Sequence, residues 1–154
     1  MKIVKLIENN DGYTLDSSMY SAYVESVKHL LPESILNFMQ ADWHYDPNDA
    51  RCLHDARIQE ILIQESPRGD FSSSNVTLTL KRADEKRIKL QYFEVSRYLF
   101  EKTKCEWPAS EYSHGDLIID EMLASENGLF THEIKFTDAT LTVQFSSFSI
   151  SDIY

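Results

Sequence analysis

Glycine and proline are scarce in this sequence, with four of each in 154 residues. So few glycines can hardly build a glycine-rich phosphate loop, and no Walker lysine or Gly-x-Ser-x-Gly elbow occurs. Long disordered linkers are disfavoured for the same reason, and eight Phe and eight Tyr add to that argument. Cysteine is limited to Cys52 and Cys105, which stand in unrelated contexts without a Cys-x-x-Cys. A reduced pair in a cytoplasmic protein is the default, and neither thiol has an activating base at a diagnostic spacing. No run approaches the ~18 apolar residues that span a bilayer. Met1 to Glu8 interrupts its apolar residues with Lys2 and Lys5, unlike a signal peptide.

Positive charge is in deficit. Fifteen Lys and Arg face 25 Asp and Glu, a net charge of −10. Such a surface is repelled by phosphate backbones and by anionic lipid, so nucleic acid and membrane are disfavoured partners. A basic protein partner is favoured, because complementary charge speeds encounter. A chain of 154 residues makes one domain with a core large enough to need neither metal nor disulfide.

The front of the chain reads as a short strand at Met1 to Ile7, then an Asn9-Asn10-Asp11-Gly12 turn. Asp16-Ser17-Ser18 offers helix caps. Tyr20, Tyr23, Val24, Val27, Leu30 and Leu31 then recur at helical spacing, predicting a helix of about four turns. Pro32 ends it, and Glu33 to Gln40 predicts a second, shorter helix. Ala41 to Cys52 reads as a loop.

From Ala56 onward strands are predicted. Ile58, Ile61 and Ile63 change parity, which points to a bulge or to burial on both faces. Ser66 to Asn75 reads as a loop. Val76-Leu78-Leu80 and Ile88-Leu90-Tyr92 alternate as a hairpin around Ala83-Asp84-Glu85. Val95 to Phe100 reads as a turn of helix or a bent strand, and Glu101 to Gly115 as a loop. Leu117 to Leu123, Phe130 to Phe136 and Leu141 to Phe145 are strands joined by Asn127-Gly128 and Thr137-Asp138-Ala139, with Phe148 and Ile150 in the last. The expected class is α+β in one domain. Two leading helices would pack on a mainly antiparallel meander, strongly curved or closing toward a partial barrel.

Chemistry-bearing residues are sparse. His54-Asp55, with His44, Asp46 and Asp49, forms a loose His/Asp segment. A set of His44, Asp46, His54 and Asp55 could ligate a metal or orient an imidazole, though the spacing matches no zinc pattern. The structural alternative puts Asp55 at the strand start, accepting backbone N–H groups, with His54 beside it. His132 lies among Phe130, Ile134 and Phe136 and reads as a core histidine; exposed in a pocket, it would be the best general base of the C-terminal half. Lys81, Arg82, Lys86, Arg87 and Lys89 cluster at one hairpin tip, as solvated turns do.

Between Cys105 and His132 every charged residue is acidic: Glu106, Glu111, Asp116, Asp120, Glu121 and Glu126. As a solvated face these need no explanation. As a surface they would dock a basic partner, joined by Asp42, Asp46 and Asp49 from the loop. No cofactor is expected.

Leu53-His54-Asp55-Ala56-Arg57-Ile58, the strands Val76 to Leu80 and Leu141 to Phe145, Phe93-Glu94-Val95 and Glu133-Ile134-Lys135-Phe136 together carry a resemblance. Over residues 53 to 150 the chain resembles a group of small bacterial β-rich proteins whose first sheet strand opens (Trp/Leu)-His-Asp-(Ala/Ser)-x-(Ile/Leu). Some of these are immunity proteins of polymorphic toxin systems. The resemblance implies a sheet-based, non-enzymatic protein and carries over no catalytic residue. The expectations are therefore a binding module first, a His/Asp enzyme second and an oligomer subunit third.

Overall fold

The computed structural model describes residues 1–10, 12–103 and 113–153. Strand dominates, and the class is α+β with mostly antiparallel sheet. The chain opens with a hairpin, β1 (Lys5–Asn9) and β2 (Gly12–Asp16). The helices α1 (Tyr20–Val27) and α2 (Glu33–Met39) follow it. Then come β3 (Arg57–Arg68), β4 (Phe71–Lys81), β5 (Arg87–Phe93) and β6 (Arg97–Lys102). The last four strands are β7 (Leu117–Ala124), β8 (Phe130–Phe136), β9 (Ala139–Phe145) and β10 (Ser147–Ile153).

Two four-stranded sheets form, in the orders β10-β5-β4-β3 and β6-β9-β8-β7. This departs from one continuous meander, and neither sheet closes, so the barrel expectation is set aside. The departure has a local cause. The ribbon β5–β6 bends between Phe93 and Arg97, where Glu94 sits at φ 53. Its antiparallel partner, β9–β10, bends at Ser146, whose N–H donates to Phe93 O at 3.2 Å. Two paired strands thus cross from one sheet to the other together, the usual way of making a corner. Each sheet gives one apolar face to the core. Val76, Leu78, Leu80, Leu90 and Tyr92 come from the first, and Ile134, Leu141, Val143 and Phe145 from the second.

The helical expectation contracts. The first helix lasts eight residues and runs on as a 3-10 turn, Lys28–Leu30, so the stripe to Leu31 is not one long helix. Asp16 accepts the Ser18 N–H at 3.0 Å in a local turn, and no side chain caps α1. Phe38 of α2 lies 5.2 Å from the ring of Phe148 on β10.

Two other expectations change. Ser66 to Asn75 is paired strand: Ser66 faces Ser73 and Pro67 faces Ser72, up to a tight turn at Gly69-Asp70. Polar side chains hid it, because a ribbon exposed on both faces shows no apolar alternation. Val95 to Phe100 bends into strand β6, not a helical turn. The parity change in β3 resolves as a register shift between Ile58 and Glu60, a bulge that keeps Ile58 and Ile61 on the core face.

Candidate functional site

The sheets meet around a buried polar cluster. Asp120 on β7 shares its parity with Ile118 and Met122, so the pleat turns its carboxylate inward. His132 on β8 faces Met122 across the ladder, one step away. Asp120 Oδ2 receives His132 Nε2 at 2.9 Å and His44 Nε2, from the loop after α2, at 2.8 Å. Across the core, Tyr92 of the first sheet lies 2.8 Å from His132 Nδ1. A carboxylate can only accept, so each imidazole donates through Nε2–H, and the Tyr92 hydroxyl closes the chain on His132 Nδ1. Tyr45 donates to Asp120 O at 2.9 Å, and Tyr20 to Met122 O at 2.8 Å.

Burial by itself would raise the Asp120 carboxyl. The charge of His44 and the hydrogen bonds from both histidines override it and hold the group well below the usual carboxylate range. The same burial, with Asp120 nearby, pushes Tyr20, Tyr45 and Tyr92 upward and keeps them protonated phenols. His44 is packed between Phe38, 4.5 Å away, and Tyr45, stacked at 4.2 Å. With Nε2 engaged to Asp120, its Nδ1 is a buried nitrogen without a partner among the described residues.

Beside His44 opens a cavity of about 330 Å3, reached by Tyr13, Cys52, His54 and Ile118. The Cys52 thiol donates to the His44 carbonyl at 3.4 Å and does not engage an imidazole nitrogen. Burial pushes that thiol upward, away from a reactive thiolate. The cavity thus mixes the apolar walls of Leu15 and Ile118 with polar groups of Tyr13, His54 and Asp120, and Cys52 supplies no activated nucleophile.

A second, more open groove of about 560 Å3 runs between α1 and the loop after α2. Glu25, Asp42 and Asp46 line it over Tyr20 and Tyr45. Asp42 and Asp46 are exposed. Successive turns shape this loop: His44 N–H donates to Ala41 O, Asp49 N–H to Asp46 O and Cys52 N–H to Asp49 O. Glu25 also pairs with Lys28 at 2.6 Å.

The residues singled out by sequence scatter. Asp49 is held at the surface by Arg51. Asp116 pairs with Arg57. Asp120 and Glu121 are buried, so neither carboxylate faces a partner. Glu121 instead accepts the N–H groups of Lys2, Ile3 and Val4 at 2.7, 2.6 and 2.8 Å. Its cross-strand neighbour Glu133 takes the amino group of Met1 at 2.8 Å, so two facing carboxylates are neutralised by one segment. Cys105, Glu106 and Glu111 lie outside the described residues.

His54 Nδ1 meets the Asp55 carboxylate at 2.9 Å on the surface. The Asp55 backbone N–H, not its carboxylate, ties the strand start to Leu117 O. Among the described residues no group of three or more His, Cys, Asp or Glu is arranged to hold a metal ion, and of the set His44, Asp46, His54 and Asp55, His44 turns to Asp120 while His54 pairs with Asp55. Of the basic cluster, Arg82 is buried against Asp84 and Asp152, while Lys81 pairs with Glu85. Sequence reasoning missed Tyr92, Tyr45 and Tyr20. The inward parity of Asp120, diagonal to His132 across the β7–β8 ladder, was the signal that a buried charge would need donors.

The class defined so far is a two-sheet α+β protein with a histidine–aspartate core and an acidic groove. No family model matches the chain, and no curated protein matches it.

Proposed function

We propose that this chain is a non-enzymatic protein-binding module that holds a basic segment of a partner, in the manner of an immunity protein neutralising a toxin. One observation supports the reading above the rest: Glu25, Asp42 and Asp46 line a single open groove with an aromatic floor. Carboxylates on the rim with tyrosine rings beneath suit an Arg or Lys side chain, through charge and through cation–π contact. The net charge of −10 would steer such a partner. The strand-start Leu53-His54-Asp55-Ala56 and its resemblance to immunity-type proteins point the same way. On this reading α1, α2 and their loop form the docking side of the sheet-built body.

The test compares wild type with Asp42→Lys/Asp46→Lys in capture experiments against the product of the adjacent gene. Wild type should bind a basic protein, with affinity falling as salt rises. The double variant should lose roughly tenfold or more, as rim charge pairs in a groove do. A basic partner bound equally well by both, or no basic partner at all, would sink the reading.

A further inference from the structure

We propose that two copies of this chain associate through the free edge of β3, paired antiparallel about Ile63. Among the described residues β3 pairs with β4 alone and ends its sheet. It is also the longest strand, 12 residues. Unpaired edges of that length recruit further strands unless blocked.

The backbone dictates which groups are free. The turn at Gly69-Asp70 has two residues, with Gly69 at φ 58, and such turns close on a hydrogen-bonded pair, here Arg68 with Phe71. Alternation then points the amides of Arg68, Ser66, Gln64 and Leu62 toward β4. Those of Pro67, Glu65, Ile63 and Ile61 point outward. Pro67, which has no N–H to give, falls in the outward set, where an edge strand tolerates it. It closes the edge at one end, and the bulge between Ile58 and Glu60 closes it at the other. What remains free is Ile61, Ile63 and Glu65, a window symmetric about its middle residue.

A two-fold axis at Ile63 pairs Ile63 with the second copy's Ile63, and Ile61 with the second copy's Glu65, and the reverse. Every free amide and carbonyl in the window is then used. Sliding by two residues sets an outward residue against Pro67 or against the bulge, and a pair is lost. No like charges meet: Glu65 faces Ile61, and Glu60 faces Ser66. Arg68 is already held by Glu94. Leu62 and Ile63, 39% and 45% exposed, lie at the centre.

The proposal is independent of the acidic groove and is tested on the full chain. Sedimentation across a concentration series should carry the mass from 17.9 kDa to twice that value. Over the same range the Ile61, Ile63 and Glu65 amides should exchange roughly tenfold more slowly, while Leu62 and Gln64 stay unchanged. Ile63→Lys sets like charges on the axis and should weaken association about tenfold. Glu65→Pro removes an outward N–H without touching the β4 ladder and should do the same. A monomer at every concentration up to roughly 1 mM, or a dimer indifferent to Ile63→Lys, would overturn it.

Discussion

At the scale of single residues, Asp120 decides most. Its carboxylate is the acceptor for two buried imidazole N–H groups, so removing it strands both donors. Breaking a buried charged network in this way costs about 3–5 kcal/mol. Asp120→Ala should show that loss at pH 7 as a lower urea midpoint with an unchanged slope. The pH dependence follows from the sign of the shift. Asp120 titrates lower in the folded chain than in the unfolded one. Its contribution is therefore complete above the unfolded carboxyl value of about 3.9 and is lost as pH falls toward the folded one. The gap between wild type and variant should begin to narrow below about pH 4; a gap that stays constant to pH 2 would remove Asp120 from this role. The inward position of His132 was legible from its neighbours Phe130, Ile134 and Phe136. That of Asp120 was obscured by the run of acidic residues around it, which invited a surface reading. Burial of a carboxylate depends on donors brought from His44, 76 positions away, and no local pattern announces them.

At the scale of elements, turns and strands were legible where alternation or backbone chemistry is strong. Asn127-Gly128 adopts φ 69 and 72 at the β7–β8 turn, as that dipeptide favours. The parity change in β3 left a bulge or burial on both faces open, and the register shift at Ile58/Glu60 makes it a bulge. Strand partners were not legible, because β10 returns to β5 past four intervening strands and side-chain periodicity is silent on which edge a strand joins. The entry to β7 depends on a closer fit. Gly115 sits at φ 76, and a Cβ there would lie 2.5 Å from Thr137 Cβ. Thr137 cannot retreat easily, since its N–H donates to Asp116 O at 2.9 Å. Gly115→Ala should therefore destabilise by roughly 2–3 kcal/mol, combining left-handed strain with the clash. A thermal melt unaltered by that substitution would mean the β7 entry and the β8–β9 turn are not packed this closely.

At the scale of the whole molecule, net charge sets two opposing responses to salt. The −10 charge makes the surface repel itself, and the local ion pairs Lys28–Glu25, Arg51–Asp49 and Arg57–Asp116 are exposed. Exposed pairs contribute about 0–1 kcal/mol each and are screened along with the repulsion. Ten uncompensated charges on a domain of this size outweigh them, because each acts on all the others within a Debye length of about 10 Å at 0.1 M. Raising sodium chloride from about 20 to 300 mM should thus raise the melting temperature of the free chain, by roughly 2–4 °C. On the proposed function, the same salt should weaken a basic partner's hold on the Glu25–Asp42–Asp46 groove, where opposite charges would attract. Stability and affinity moving in opposite directions would support the proposal that the acidic surface serves recognition and is tolerated by the fold. If the melting temperature instead fell with salt, the local pairs would dominate, and the acidic excess would have to be laid out so that opposite charges already neutralise one another.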